Sequence, residues 1–483
     1  MKRFNYFVMS LISAAAFTFT ACSSSDDLNG GGAGESKVDG FYMTLSVQAP
    51  TNGGSRTEEN NPVEATTDES DVTSGTFYLV DANNNVAFTK TISAQEWADS
   101  KIPTQGQTGK SQLKIEVEKV AAGATYKVYF LANTTDASPW SSVVSAGTSP
   151  FVGNYADATK FAMFNQNDPT WDGNKYTVIF TDDNKDINNP ASVTRDGVES
   201  PIKIERITAR IDQPSAASTT LNPVYSGSDV TDAEKRAMED AVNKVQSISL
   251  TGYAIANLPN QTYLMQHWTD KTLEIPTAGL SYFQEADKLG TTTHFTNPDF
   301  FKEITATSSN KDYVFENNSE AKATTMYFEY TVTLKDMTGA DFTDGTFYRY
   351  NNIIFKSFAD IKKAYNDVAG LFEGKTPEEL KDELAAAKVA DDAEEELSKF
   401  RTKYDIEVFN EGKTYYKQVI KDQWIKTENV IQRNSVYQLT VNNIFNVGAQ
   451  VPNGEPDTNG MFYLDVEVSV NPWVLNVQNV DLK

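Results

Sequence analysis

The stretch Phe-Tyr-Met-Thr-Leu-Ser-Val-Gln-Ala at residues 41–49 alternates apolar and polar side chains. Such alternation predicts a β-strand that is buried on one face and exposed on the other. Its apolar positions are Phe41, Met43, Leu45, Val47 and Ala49. Pro50 follows directly, and polar, turn-rich sequence lies on both sides, over residues 23–37 and 51–75. We therefore predict a strand between two flexible segments, which a single proteolytic cut could detach.

Similar strand patterns, separated by polar turns, continue along most of the chain. They lie at residues 76–81, 86–91, 113–120, 126–132, 176–180, 202–211, 245–254, 326–334, 415–420, 435–441 and 462–470. Between the first two, Asn83-Asn84-Asn85 indicates a hairpin turn, because asparagine tolerates positive φ. Many short strands at close intervals are typical of a β-sandwich or a barrel. The sequence thus predicts a mainly β protein.

Helical patterns interrupt the strands in three places, at residues 231–245, 357–372 and 377–400. The last two predict a helical hairpin, at about residues 357–400, inserted in the second β region of the chain. Thr376, followed by Pro377 and Glu379, gives the second of these helices a capping box with proline in its first turn. An apolar stripe at helical spacing follows, made of Leu380, Leu384 and Ala387. We expect this stripe to pack in a core rather than against a partner.

Composition and charge exclude several classes of function. The 483 residues carry 42 Lys and Arg against 66 Asp and Glu, which gives a net charge of −24. A surface this acidic repels phosphate backbones, so nucleic acid is not an expected partner. With two His and one Cys, the chain cannot form an internal disulfide or a cysteine-based zinc site. The sequence also lacks the motifs of a nucleophile elbow, a phosphate-binding loop and a dinucleotide site. We expect no enzymatic activity, cofactor or metal.

The single cysteine, Cys22, follows an amino-terminal segment with the features of a lipoprotein signal. Residues 1–21 have a basic start, a short apolar stretch and small residues directly before the cysteine. This pattern predicts a bacterial lipoprotein signal peptide, with the Cys22 thiol as the site of lipid attachment. The serine and acidic run at 23–27 resembles the surface-export signal of Bacteroidetes lipoproteins, with an ordinary linker as the alternative. The precursor is therefore expected at the outer membrane, anchored by its lipid.

The carboxyl-terminal segment, residues 461–483, carries a second alternating pattern. Its apolar positions are Leu464, Val466, Val468, Val470, Trp473, Leu475, Val477, Val480 and Leu482. Pro472 is predicted to end one strand here and to precede another. Such a strand can pair within its own domain or add to another molecule. If the strand at 41–49 leaves, it exposes an apolar groove that this segment of a neighbouring copy could fill. Head-to-tail contacts of that kind produce a filament.

Six short motifs occur in order along the chain. They are Ser55–Thr57, Val128–Asn133, Ile204–Asp212, Tyr313–Asn317, Arg433–Leu439 and Val470–Trp473. Together with the lipoprotein signal and the first strand, they resemble the fimbrillins of Bacteroidales, the type V pilins, and most closely their Mfa-type shaft subunit. The resemblance implies two transthyretin-like β-sandwich domains, at residues 57–265 and 266–460, with the helical insertion in the second.

The same resemblance implies how such a subunit matures. A trypsin-like or Arg-specific protease cuts between Arg56 and Thr57 and removes residues 22–56, including the lipid and the first strand. Residues 461–483 of another copy then fill the groove. Lys37 is a second possible cut, but it precedes the strand and would not open the groove. The expected product is a structural subunit of a surface fimbria for adhesion or biofilm formation, with itself and the anchor and tip subunits as partners.

Other functions stay open from the sequence alone. A surface glycan-binding lipoprotein, or a tip adhesin of the same family, would share the signal and the β domains. Trp140, Trp171 and Trp268 could stack on sugars, although core packing is the expected role of each. A glycoside hydrolase is a weaker alternative, because any acidic β protein contains pairs of carboxylates. The presence of both a cut site and a carboxyl-terminal strand favours a shaft subunit over a tip.

Overall fold

A computed structural model describes most of the chain beyond residue 39. The described residues are 40–49, 63–100, 110–134, 143–148, 151, 155–157, 160–167, 173–223, 230–270, 272–290, 300–422, 430–452 and 464–474. They belong to one compact unit, Asp39–Lys483. Strands account for most of its regular structure, so the predicted mainly β fold is confirmed. None of the helices in these ranges is long and apolar enough to cross a membrane.

The strands are short and numerous. In the first half of the chain they are β1 (Phe41–Gln48), β2 (Val63–Glu64), β3 (Gly75–Val80), β4 (Val86–Ile92), β5 (Lys110–Val117), β6 (Thr125–Ala132), β7 (Val143–Ser145), β8 (Ala156–Asp157), β9 (Lys160–Phe161), β10 (Met163–Asn165), β11 (Tyr176–Ile179), β12 (Ala191–Ser192), β13 (Thr194–Arg195), β14 (Val198–Glu199), β15 (Ile202–Arg206), β16 (Ala209–Asp212) and β17 (Ser215–Ala216). In the second half they are β18 (Val245–Ala256), β19 (Leu258–Pro259), β20 (Gln261–Tyr263), β21 (His267–Thr269), β22 (Thr272–Glu274), β23 (Tyr282–Phe283), β24 (Lys302–Glu303), β25 (Lys311–Val314), β26 (Thr325–Leu334), β27 (Phe347–Tyr350), β28 (Ile353–Phe355), β29 (Glu407–Phe409), β30 (Lys413–Val419), β31 (Ser435–Ile444) and β32 (Leu464–Val474).

Helices are fewer and most are short. The α-helices are α1 (Thr67–Ser70), α2 (Ala94–Asp99), α3 (Asp232–Lys244), α4 (Phe358–Ala364), α5 (Pro377–Lys388) and α6 (Ala393–Tyr404). Single 3₁₀ turns lie at Asp182–Lys185, Ala286–Lys288, Leu371–Gly374 and Asn410–Gly412. The predicted capping box of α3 is confirmed, because the Thr231 side chain accepts a hydrogen bond from the backbone N–H of Glu234.

The largest sheet contains eleven described strands from the first half of the chain. Its order is β12-β1-β15-β10-β6-β11-β13-β14, with β3 paired to β6, β4 to β3 and β5 to β1. The antiparallel pair β3–β4 is the predicted hairpin, and Asn84 in its turn has a φ of 62°. The apolar faces of these strands form the first core, in which Phe77, Phe130 and Phe164 are fully buried.

Two further sheets cover a second core; one combines strands from both halves of the chain, and the other comes from the second half. One has the order β2-β32-β31-β16-β25, with β17 also paired to β31, and the other has the order β24-β18-β26-β30. Both contribute buried side chains to the same core, such as Tyr437 from the first and Tyr253 and Phe328 from the second. This is the arrangement of a β-sandwich. Phe315 and Val436 are buried in the first core instead, so the second half of the chain contributes to both cores.

The segment 202–211 was predicted as one strand, and this prediction is wrong. It forms two strands, β15 and β16, which belong to different sheets. At the break, the Ile207 N–H donates to the Ala162 carbonyl in the first half of the chain, and the Thr208 carbonyl accepts from the Asn434 N–H. The chain therefore changes sheets within two residues. Neither residue at the break is a glycine or a proline, and the side chains of Ile207 and Thr208 are both buried.

The helical insertion is present, but it has three α-helices rather than a hairpin of two. The predicted helix at 357–372 ends early, and Gly370 beyond it adopts a φ of 75°, which a helix cannot continue through. The predicted helix at 377–400 is interrupted by Asp392, whose backbone is not helical and which precedes α6. Leu380, Leu384 and Ala387 are buried in a core of the insertion itself, so their predicted packing role is confirmed.

Candidate functional site

β1 lies inside the first core rather than on its surface. Its five predicted apolar side chains are nearly inaccessible, with exposures of 7% for Phe41, 0% for Met43 and Leu45, 1% for Val47 and 8% for Ala49. Burying one such side chain stabilises a fold by about 1.5–3 kcal/mol. The first core therefore depends on a strand from the start of the described chain.

Both edges of β1 are paired. Along one edge, all eight residues of β1 are in antiparallel register with β5, from Phe41 opposite Val117 to Gln48 opposite Lys110. Two strands share the other edge in parallel orientation, β12 opposite Met43 and Thr44 and β15 opposite Val47 and Gln48. β1 is thus a central strand, and its loss would leave a groove that is open along its length between β5 on one side and β12 and β15 on the other.

Aromatic and charged side chains enclose the start of this strand. The ring of Phe41 packs against Phe180 with centroids 5.4 Å apart, and Phe180 in turn contacts Tyr126 at 6.0 Å. The Lys185 ammonium lies 5.5 Å from the Phe41 ring centroid, within the range of a cation–π interaction. These contacts close one end of the groove.

The carboxyl-terminal strand β32 occupies a different environment. It pairs antiparallel with β31 from Leu464 opposite Ile444 to Pro472 opposite Ser435. Among the described strands, its other edge meets the two residues of β2 alone, in parallel, at Trp473 and Val474. The inward side chains Leu464, Val466 and Val468 are half-buried against the second core. β32 is therefore an edge strand over most of its length.

The prediction that Pro472 ends a strand is wrong, because β32 continues through it to Val474. A proline is tolerated in a strand at positions where the edge has no hydrogen-bonded neighbour. Since β2 begins only opposite Trp473, the outer edge is free of a described strand at Pro472. One continuous strand spans Leu464–Val474, and the rest of the second predicted strand lies outside the described residues.

Several predicted site residues lie outside the described residues. They are Cys22, Arg56, Thr57, Leu475, Val477, Val480 and Leu482. Of Val470 and Trp473 only the backbone is described. The lipid attachment site, the cut and the distal half of the donor segment therefore remain predictions.

The segment that follows the predicted cut is more ordered than expected. Residues 51–75 were predicted as a flexible, turn-rich linker, but its described part contains β2 and α1. Ala65 and Val72 are buried, and Ser70 is nearly so. The Asn133 side chain donates to the carbonyl of Asp71 at 2.9 Å and accepts from the Thr73 N–H at 2.9 Å. The linker prediction is therefore wrong from residue 63 onward.

Glu69, in α1, is a buried carboxylate that the sequence reasoning missed. Its oxygens accept hydrogen bonds from the Tyr313 hydroxyl at 2.8 Å, the Lys311 ammonium at 3.0 Å and the Arg210 guanidinium at 3.2 Å. The backbone N–H of Thr66 donates to it as well, at 2.8 Å. The spacing of Thr66 and Glu69 is that of a capping box, which could have signalled the helix. Glu69 thus ties the segment after the cut to β16 and β25.

The electrostatics of this cluster follow from its burial and its donors. Burial alone would raise the pKa of Glu69, but the Thr66 N–H, the Tyr313 hydroxyl, Arg210 and Lys311 together lower the pKa to about 2. Burial and the nearby carboxylate raise the pKa of Tyr313. Glu69 is consequently ionised at any pH at which the protein works, and Tyr313 is a neutral donor.

Two buried arginines join segments that are far apart in the sequence. Arg206 is fully buried, and its guanidinium donates to the Glu69 carbonyl at 2.6 Å and to the Asn434 side-chain oxygen at 2.8 Å. Burial lowers the pKa of Arg206 to about 9. Arg433 forms an ion pair with Glu316 at 2.7 Å, with both side chains 1% exposed. Removing one partner of such a buried pair leaves an uncompensated charge.

The remaining candidates give little support for other chemistry. Trp140 and Trp171 lie outside the described residues, whereas Trp268 is half-buried and donates its indole N–H to the Gln266 side chain at 2.9 Å. Within the described ranges, no group of three His, Cys, Asp or Glu side chains is placed to hold a metal ion.

The region that contains β31 and β32 is similar to a known protein family. Residues 407–479 match a family model described as "Major fimbrial subunit protein type IV, Fimbrillin, C-terminal". This region is similar to the carboxyl-terminal region of the fimbrillins. It extends from β29 past β32, and it includes the Arg433–Leu439 motif on which the resemblance was based. The fimbrillin resemblance predicted from the sequence is therefore confirmed here.

Comparison with solved structures gives two similar chains from Parabacteroides distasonis. One is described as a candidate cell adhesion protein, with a TM-score of 0.44, 14% identity, and coverage of 91% of this chain and 99% of the other. The second is described as a fimbrial assembly protein, with a TM-score of 0.27, 10% identity, and coverage of 61% of this chain and 99% of the other. No curated protein matches the sequence at a significant level.

The fimbrillin motifs meet at the junction between the two cores. Arg206 and Arg210 come from the motif at 204–212, Tyr313 and Glu316 from that at 313–317, and Arg433 and Asn434 from the third. The ion pairs and hydrogen bonds described above join all three. Residues far apart in sequence thus form one polar network, which fixes the groove strands relative to β31 and β32.

Proposed function

We propose that this chain is a structural subunit of a surface fimbria, made as a lipoprotein, cut after Arg56 and polymerised by strand exchange. The observation that carries the proposal is the position of β1. Its apolar face fills the first core, yet the strand connects to the following described residues only through 50–62, the segment that contains Arg56. The fimbrillin region at 407–479 supports the same class of function.

A cut after Arg56 would break the covalent link between β1 and the rest of the fold without releasing the new amino-terminal segment. Three sets of contacts hold the chain beyond the cut. β2 pairs with β32, Glu69 is bound by β16 and β25, and Asn133 binds the backbone at Asp71 and Thr73. We assign the cut to a trypsin-like or Arg-specific protease, because the residue before it is arginine.

Residues 461–483 of a neighbouring copy are the segment that we assign to the vacated groove. In its own domain β32 is a half-buried edge strand, whereas the groove buries alternate side chains almost completely. A strand with alternating apolar residues gains burial, and therefore stability, when it moves from the first environment to the second. Because the accepting and donating sites are different surfaces, the contact is head to tail and extends into a filament. Anchor and tip subunits would complete the fimbria at its ends.

The test is assembly after proteolysis. Precursor is treated with trypsin and viewed by negative-stain electron microscopy, beside the variants Arg56→Ala and Lys37→Ala. We expect filaments from the wild type and from Lys37→Ala, because a cut at Lys37 precedes β1 and leaves the groove filled. Arg56→Ala should remain a monomer that retains β1. Filaments from Arg56→Ala in normal yield would show that the cut or the mechanism is wrong.

The donor assignment needs a separate experiment. A chain that ends at Pro452 keeps β1 and the groove but lacks residues 461–483. After proteolysis it should accept a strand without donating one, so that small amounts shorten the filaments of the wild-type protein. Filaments of unchanged length would exclude 461–483 as the donor. Binding of sugars by protein that never forms filaments would instead favour the glycan-binding alternative.

A further inference from the structure

Among the described strands of the first sheet, β5 has the longest pairing with β1, whereas β12, which is also paired only to β1, meets it through two residues. All eight residues of β5 are in register with β1, and no other described strand pairs with it. β15, on the opposite edge of β1, also pairs with β10, and β10 pairs with β6. The ladder with β1 is therefore the only described strand pairing that joins β5 to the sheet, whereas β15 is held independently.

Outside its pairing with β1, β5 is held among the described residues by two hydrogen bonds and by its buried side chains. Outside the ladder, the Gln112 N–H donates to the Ser100 carbonyl at 3.0 Å, and the Lys114 ammonium donates to the Ile187 carbonyl at 3.2 Å. The side chains of Ile115 and Val117 are buried, but in the same core that β1 fills. Loss of β1 would remove the backbone partner of β5 and part of the apolar surface that these two side chains contact.

We propose that β5 is the movable wall of the groove: it opens when β1 leaves and closes over the strand that replaces it. The partner is the carboxyl-terminal segment of a second copy, so the inference rests on the proposed function. The incoming strand docks against β15, which β10 holds in place, and runs parallel to β15 and β12. β5 then completes an antiparallel ladder on the free edge of that strand.

A lateral opening is favoured because successive side chains of a strand point to opposite faces of the sheet. Sliding lengthwise through a closed groove would move a strand by one residue at a time. Each such step would place polar side chains in the core and apolar side chains in solvent. In β1 that step would exchange Leu45 with Ser46 or Thr44. A wall that opens sideways lets the new strand enter in its final register, with no misplaced intermediate.

Hydrogen exchange on the intact precursor tests the movable wall. We expect the amides of β1 and β5 to exchange together and faster than those of β15, because one opening exposes both. Leu45→Ala should accelerate exchange in β1 and β5 by the same factor, about 30-fold or more, and leave residues 204–206, which pair with β10, within about threefold of wild type. Exchange in β5 that is unaffected by Leu45→Ala, or that follows β15, would overturn the proposal.

A second measurement uses protein that has been cut and has lost β1. Amides of β5 should exchange about 100-fold faster than in the precursor, while those of β15 stay protected by β10. A synthetic peptide of residues 40–49 should restore protection of β5, and the same peptide with Leu45→Asp should not. If β5 stays protected throughout while filaments form, the movable wall is wrong and strand exchange stands. If β5 opens and recloses on the peptide but filaments never form, the proposed assembly fails instead.

Discussion

β1 and β32 are both strands near an end of the chain, but they belong to different sheets and differ in how completely they are paired and buried. β1 has partners along both edges, and its inward side chains are at most 8% exposed. β32 has one long partner, a second edge covered by only two residues, and half-buried side chains. While β1 is covalently attached, its removal from this enclosed position would cost much free energy. An edge strand can be exchanged more readily. The difference suits β1 to a role that ends with proteolysis and β32 to one that requires release.

The largest loss of stability should come from truncating a side chain of β1, the strand that is paired along both edges. Leu45→Ala removes a side chain with 0% exposure and should lower the free energy of unfolding of the precursor by about 2–5 kcal/mol. Val466→Ala, at a half-buried position of β32, should cost about 1 kcal/mol. Urea denaturation of both variants measures the difference.

The matched pair also has a readout in assembly. After the cut, Leu45→Ala is absent from the mature chain, so its filaments should be as stable as those of the wild type. Val466→Ala remains in the mature chain and should weaken them. Equal losses of precursor stability in the two variants would remove the distinction between an enclosed strand and an edge strand.

The sequence predicted the enclosed strand better than its surroundings. Alternation at 41–49 identified five apolar side chains, all of which are buried, but it did not predict that Thr44 on the opposite face is buried as well. The same reasoning joined β15 to β16, since continuous apolar and charged residues at 202–211 do not reveal which sheet each half enters. The prediction that Pro472 ends a strand was wrong because proline is tolerated within an edge strand.

The polar junction could not be predicted from pattern alone. Arg206, Arg210, Glu316 and Arg433 were named only as parts of motifs, and charged residues in a sequence are usually at the surface. Their burial depends on partners that are more than a hundred residues away, as in the pair Arg433–Glu316. Glu69 was missed because polar composition over 51–75 indicated a linker. Only the three-dimensional structure brings these groups together.

A second prediction concerns pH. It tests whether the polar junction around Glu69, rather than β1, couples the first and second cores. The pKa of Glu69 is lowered to about 2 from an ordinary value near 4.5. A lowered pKa contributes stability that is present above the ordinary value and is lost as the pH falls toward the folded-state value. We therefore expect stability to fall between about pH 5 and pH 2, by up to about 3 kcal/mol from this group.

Glu69→Gln should flatten that part of the stability profile and lower stability at pH 7. Glu199→Gln changes an exposed carboxylate of β14 and serves as the control, with no expected change in slope. Urea denaturation at several pH values, on precursor, gives both curves. A slope that persists in Glu69→Gln would assign the acid sensitivity to other carboxylates and leave Glu69 without a role in coupling the regions.

The smallest loss of stability is expected in the helical insertion, which contains neither β1 nor β32. Thr376 caps α5: its hydroxyl accepts from the Glu379 N–H at 3.2 Å, and the Glu379 carboxylate accepts from the Thr376 N–H at 2.7 Å. Thr376→Ala should cost about 1 kcal/mol, seen as faster hydrogen exchange in α5 alone, because the insertion has its own core. Thr231→Ala removes the same type of cap from α3, whose Ala241 is buried in the second core, and so should also loosen strands of that core. If Thr376→Ala accelerates exchange in β32 as much as Thr231→Ala does, the insertion is coupled to the carboxyl-terminal strand, and the contrast between β1 and β32 must include it.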